Sequence, residues 1–184
     1  VMATIGASSG KYYWEVKVNA LASNYGTIGI VGTQATASTQ FITSNANEYM
    51  YYSPGSLNYN GGSVSSGYAS YTAGDIIGVA MDLDNNRLFF SKNGTFQNSA
   101  DPTSSTGAYT ITAPASTSLG LYSPAIGYWD DNDAANGTYE VNFGNGFFGT
   151  TAISSEGTNA SGIGKFEYDV PAGFTALSTK GLNE

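Results

Sequence analysis

Two residue types that carry much of protein chemistry are missing: the chain has no histidine and no cysteine. Without histidine the commonest general base and metal ligand is gone, and no Ser-His-Asp triad can be assembled however many serines are present. Without cysteine there is no disulfide and no thiolate metal site. Carboxylates and aromatic rings remain. Asp130, Asp131 and Asp133 crowd one short stretch beside Trp129. Like charges so close repel, and a cation such as Ca²⁺ with oxygen ligands would relieve that. The spacing makes no EF-hand, because Ala135 stands where an oxygen ligand belongs and no Glu closes the loop. Asp82-x-Asp84-x-Asn86 fails likewise, lacking the glycine and the closing Glu. Solvated turns are the simpler reading of both, so no metal site is assigned.

Two further motifs resemble catalytic or cofactor signatures. Glu167-x-Asp169 matches part of the E-x-D-x-x-E strand of glucanases. A retaining glycosidase needs two carboxyls about 5 Å apart on one face; here Ala172 takes the third position and Pro171 interrupts the strand. Gly144-Asn145-Gly146-Phe147-Phe148-Gly149 matches G-x-G-x-x-G after a strand. A dinucleotide site would need a helix to open there, and residues 150–157 have no helical periodicity, so a glycine-rich strand exit is expected and no cofactor. No catalytic residue is assigned.

The aromatics point to binding. Tyr49, Tyr51, Tyr52, Tyr59, Tyr68, Tyr71, Tyr128 and Trp129 gather around loops or strand ends. Tyr and Trp bury large area at low entropic cost and keep a polar handle, which suits protein hot spots and sugar stacking alike. The candidate ligand-binding residues are Trp129, Asp130, Asp131, Asp133, Tyr51, Tyr52 and Tyr59. They imply a binding edge made of the 49–59 hairpin, the 82–86 turn and the 129–133 loop. The sequons at Asn93, Asn136 and Asn159 are what chance gives in so Asn- and Thr-rich a chain.

The elements that must position these residues are strands. With 11% charged, 41% apolar and 14% aromatic residues and 24 glycines in 184 positions, the composition is that of an all-β domain rather than a disordered segment. Residues 76–81 form a continuous apolar run, the mark of a strand buried on both faces. The Asp- and Asn-rich 82–86 turn returns it into residues 88–92, and Asn93-Gly94 is a strong hairpin signal. Residues 11–19 alternate, with Tyr12, Trp14, Val16 and Val18 on one side and Tyr13, Glu15, Lys17 and Asn19 on the other, as in a half-buried strand. Further strands are expected at 3–5, 27–31, 48–52, 56–60, 64–68, 119–122, 125–128, 138–143 (Tyr139, Val141 and Phe143 inward) and 165–170. A helical turn is expected at 35–39 and a surface loop at 99–118. The net charge of −8 disfavours a nucleic-acid partner, and no segment has the length of a membrane span. The start at Val1-Met2 and the stop at Leu182-Asn183-Glu184 suggest a piece of a longer polypeptide.

These blocks, in this order, resemble the SPRY domain family: YYWEVKV at 12–18, the Gly26 to Ile30 spacing, Tyr71-Thr72-Ala73-Gly74-Asp75-Ile76-Ile77-Gly78, Asp82-Leu83-Asp84, Leu88-Phe89-Phe90-Ser91-Lys92-Asn93-Gly94, Pro124-Ala125-Ile126 and Val141-Asn142-Phe143-Gly144. The resemblance implies a bent two-layer antiparallel β-sandwich, related in shape to the concanavalin A-like jelly roll, that binds partners through loops at one end and catalyses nothing. Such partners are usually a protein or peptide and in some settings a glycan. The arginine-containing flanking motifs of animal SPRY partners are not seen, so their peptide specificities do not transfer. The tail from Phe166-Glu167-Tyr168 to Ala176-Leu177-Ser178-Thr179 resembles the ending of SPRY-like segments in bacteriophage and virus-associated structural proteins. The expectation is therefore one domain over 1–184, with a core at 11–149 and the 150–184 tail packed on it. It would serve recognition or assembly on a virion or extracellular surface, in contact with a protein, a cell-surface glycan or sister subunits. A structural module packed between subunits and a carbohydrate-active enzyme are the alternatives.

Overall fold

The alternating stretch and the apolar run become adjacent strands, and the rest of the architecture is laid on them. The computed structural model describes residues 1–21, 25–33, 46–59, 63–128 and 137–183. In chain order the strands are β1 (Lys11–Ala20), β2 (Gly26–Val31), β3 (Glu48–Tyr52), β4 (Ser56–Tyr59), β5 (Ser63–Ser66), β6 (Ile76–Asp82), β7 (Arg87–Lys92), β8 (Thr95–Phe96), β9 (Tyr109–Thr110), β10 (Ser123–Tyr128), β11 (Thr138–Asn142), β12 (Phe147–Phe148), β13 (Thr151–Ala152) and β14 (Thr175–Ala176). One sheet runs β11-β1-β6-β7-β8, with β14 added along β1 and β9 along β7; the other runs β10-β2-β3-β4-β5. The pairs are antiparallel except β14 on β1.

The two sheets bury one core between them. Tyr12, Trp14, Val16 and Val18 of β1, Ile77, Val79 and Met81 of β6, and Leu88 and Phe90 of β7 meet Ile28, Ile30, Tyr49, Tyr51 and Leu57 of the second sheet. Each such side chain removed from water contributes roughly 1.5–3 kcal/mol. The period-2 rule thus assigns the inward face of β1 correctly, and Tyr139, Val141 and Phe143 also pack inward. Asn93 and Gly94, at φ 48° and 79°, make the two-residue turn from β7 into β8.

Five expectations are corrected. β1 is not half-buried: Tyr13 and Glu15 on its other face are 1% and 0% exposed, because residues 163–176 of the tail lie over them. Residues 165–170 form no strand; beyond β13 the only ladder pairing among the described tail residues is β14, and Lys165 makes a single bridge to Asn145. Pro124 does not separate two strands but sits within β10, opposite Ile30. A residue's N and O point to the same side of a strand, and the Pro124 carbonyl accepts from the Ala3 amide at 2.9 Å. The missing N–H therefore faces the N-terminal segment and costs the β2 ladder nothing. That segment makes isolated bridges, Met2 to Ala125 and Ala7 to Tyr122, instead of a strand at 3–5. The expected loop at 99–118 holds β9 and a 3₁₀ turn at Pro114–Ser116. The expected helical turn at 35–39 lies outside the described residues.

Candidate functional site

Strand direction decides which candidate residues can act together. Tyr52 pairs with Ser56, whereas Tyr59 pairs with Tyr49, so the two rings lie at opposite ends of the hairpin. The Tyr71 hydroxyl donates to the Gly26 carbonyl at 2.8 Å, the Gly74 amide donates to the Val18 carbonyl at 2.7 Å, and Val18 pairs with Tyr139. A Cβ at Gly26 would stand 2.3 Å from the Tyr139 hydroxyl, so the two sheets approach closely here. The start of β2 and the ends of β1, β3, β7 and β10 therefore share one end of the sandwich. The 82–86 turn is at the other end. There Asp82 pairs with Lys11, and Tyr59 packs on Tyr109 (centroids 4.7 Å), which pairs with Leu88. The expected single edge is thus two separate ends.

The end at Tyr52 carries a cluster of aromatic rings, one of them exposed. Tyr25, 37% exposed, lies parallel to Tyr52 (6.3 Å, 23°) and edge-on to Tyr128 (6.3 Å, 73°). Tyr52 and Tyr128 are half-buried. Among the described residues, five buried side-chain oxygens lack a hydrogen-bond partner, and three of them, on Thr27, Ser53 and Tyr139, belong to this end. Burial, with Tyr128 nearby, pushes the Tyr139 phenol well above its ordinary range, so it stays a neutral donor. The floor is firm. Burial alone would raise the Asp75 carboxyl, but the Thr72 amide, Asn93 Nδ2 and the Lys92 ammonium at 3.1 Å together hold it below its ordinary value.

Tyr51 is corrected from ligand contact to core. Its side chain is 0% exposed, its hydroxyl donates to the Ala69 carbonyl, and its ring packs on Tyr71 and Phe90. Trp129, Asp130, Asp131 and Asp133 lie outside the described residues, directly after Tyr128 in the chain. Tyr25 was not among the candidates; its signal was a tyrosine next to the glycine that opens a buried strand.

The remaining motifs resolve into structure. Asp82 is buried against Lys11 (3.2 Å) and Asn85, and Asp84 accepts the Gly10 amide at 2.7 Å, so this turn is held by its own carboxylates. Glu167 is bound to Ser154, and Asp169 to the amide (2.6 Å) and hydroxyl (2.8 Å) of Thr158; with no strand there, nothing sets the pair on one face. Residues 144–149 lead into the β12–β13 hairpin instead of a helix. Among the described residues no three acidic side chains converge as a metal-ligand set. The Asn93 amide is engaged with Asp75, and that of Asn159 donates to Ile163 and Gly164 (2.8 and 2.9 Å), so a glycan on either would break existing bonds.

A group that the motifs did not flag is the Glu15 carboxylate on the outer face of β1. It accepts the Glu167 and Tyr168 amides at 2.9 Å each, the Tyr13 hydroxyl at 3.2 Å and Asn142 Nδ2 at 3.5 Å. Burial raises its pKa, and these donors offset the rise only in part.

This geometry defines a two-layer antiparallel β module with one shared core and an aromatic end. The SPRY domain family model matches residues 11–120, and the chain belongs to that family. Two solved structures share the fold. The crystal structure of the SPRY domain of human HERC1 superposes with a TM-score of 0.54 at 17% identity, covering 76% of this chain and 77% of that one. A crystal structure of a human SPRY domain does so with a TM-score of 0.50 at 18% identity, covering 71% and 78%. No curated protein matches the chain. SPRY domains are generally protein-interaction modules, and a non-catalytic binding role fits this one.

Proposed function

We propose that this domain is a non-catalytic recognition module that seats a protein partner on the end bearing Tyr25, Tyr52 and Tyr128, together with the adjoining 129–136 segment. The observation that carries this is the exposed Tyr25 ring braced by two further tyrosines. Pre-organised aromatic surface of this kind is what binding hot spots use, because little entropy is lost when a partner covers it. The orphaned oxygens of Thr27, Ser53 and Tyr139 support the reading, since unpaired buried polar groups call for an explanation beyond stability. Trp129 would add a second anchor, and Asp130, Asp131 and Asp133 an acidic rim favouring a basic partner. The setting we favour is a surface-exposed structural assembly, virion or extracellular, in keeping with the low charge and with the tail pattern.

A random-peptide library panned against the immobilised domain is expected to return one consensus. The consensus peptide should bind at least about tenfold more weakly, or 1.4 kcal/mol, to Tyr25→Ser and to Trp129→Ala, with thermal unfolding nearly unchanged. No consensus, or a consensus indifferent to both changes, removes this end from protein recognition. Saturable glycan-array binding lost in the same variants would reassign it to a sugar.

A further inference from the structure

The tail departs furthest from sequence expectation. Residues 163–176 contain almost no regular structure, yet Ile163, Phe166, Val170, Phe174 and Ala176 bury a second apolar cluster against Tyr13, Ala80 and Phe89 of the sheet. Phe166 meets Tyr13 edge-on at 5.0 Å. The polar contacts read the tail's main chain. Glu15 takes the amides of Glu167 and Tyr168 at 2.9 Å, and Asn142 Nδ2 donates to the Lys165 carbonyl at 2.9 Å. The Leu177 amide donates to the Tyr13 carbonyl at 3.2 Å, and β14 adds two parallel residues to β1. Asn142 is itself fixed by accepting the Gly144 amide at 2.8 Å.

This is how a groove takes up an extended peptide: fixed host groups satisfy the main chain, and sockets admit separate anchors. No contact in the set depends on covalent continuity with β13. The connection, Ser154 to Glu156, is exposed and polar. An empty groove would leave a buried carboxylate without its amide donors and an uncovered aromatic face, both costly. The groove therefore demands an occupant, and the tail's anchors match its sockets.

We propose that the outer face of the β11-β1-β6-β7-β8 sheet is a peptide groove, occupied in cis by residues 157–177, that accepts the same segment from a second copy of this chain. The tether favours the cis form, since a short link gives an effective concentration of about millimolar. Exchange between copies is then a route to assembly by swapped tails. This is independent of the tyrosine end.

The test uses the full chain with a protease site inserted between Ser155 and Glu156. After cleavage, native mass spectrometry is expected to find the tail still bound. A fluorescent peptide spanning 157–184 should then exchange into the nicked protein saturably, and the same peptide carrying Phe174→Ala should compete at least tenfold less well. Release of the tail on cleavage would overturn the proposal. So would a tail that stays but never exchanges just below the unfolding temperature, or equal competition by the Phe174→Ala peptide.

Discussion

Glu15→Ala is expected to lower the unfolding free energy by about 2–5 kcal/mol, because the part-buried Glu167 and Tyr168 amides and the buried Tyr13 hydroxyl lose their acceptor at once. The side chain is 0% exposed, so water cannot replace it without opening the tail. Urea titration of both proteins measures the loss as a shift in midpoint, and a shift below about 0.5 kcal/mol would mean that the tail is not anchored there. The effect should depend on pH. Burial raises the folded-state pKa of Glu15 above its ordinary value, so the folded protein holds this proton to higher pH than the unfolded chain does. The associated stability is fully present below the ordinary carboxylate range and is lost as pH rises through the raised value. The gap between wild type and Glu15→Ala should therefore widen as pH falls from 7 toward 4. Asp75 and Asp169, both lowered, act in the opposite sense but cancel in the comparison. A gap that narrows instead would show that the amide donors outweigh burial.

Trp14→Ala is expected to cost about 3–5 kcal/mol, the range for deleting a buried large aromatic side chain. Trp14 is 1% exposed at the centre of β1, paired with Val79 and packed in the inter-sheet core. For a domain whose total stability is of order 5–15 kcal/mol, that is a large share. Thermal and chemical unfolding should both show it, whereas Lys17→Ala on the other face of the strand should change stability little. Equal effects at the two positions would contradict the full burial of Trp14 and the partial exposure of Lys17.

The β6–β7 hairpin was legible because each of its signals is local: an apolar run for double burial, an Asp/Asn turn, then Asn-Gly. The outer face of β1 was not. Tyr13 and Glu15 alternate with apolar residues as a solvent face would, and what covers them, the Glu167 and Tyr168 amides, lies 152 and 153 residues further along the chain. No period-based rule reaches that far. At the candidate site, alternation along β3 puts Tyr49 and Tyr51 on one face and Met50 and Tyr52 on the other, but Met50 is as buried as Tyr51, so the burial of Tyr51 could not be read from period alone. Which strand ends lie together could not either, because that depends on how the two sheets stack. That stacking put Tyr59 and the 82–86 turn away from Tyr52 and Tyr128.

The most direct test of the recognition role is an amide chemical-shift titration of the full chain with the selected peptide. The account predicts saturable shifts concentrated at Tyr25, Gly26, Tyr52, Ser53, Tyr128 and Gly137, with Lys11, Tyr59 and Asp84 unmoved. Shifts confined to the Lys11 and Asp84 end, or none at saturating peptide, would contradict it.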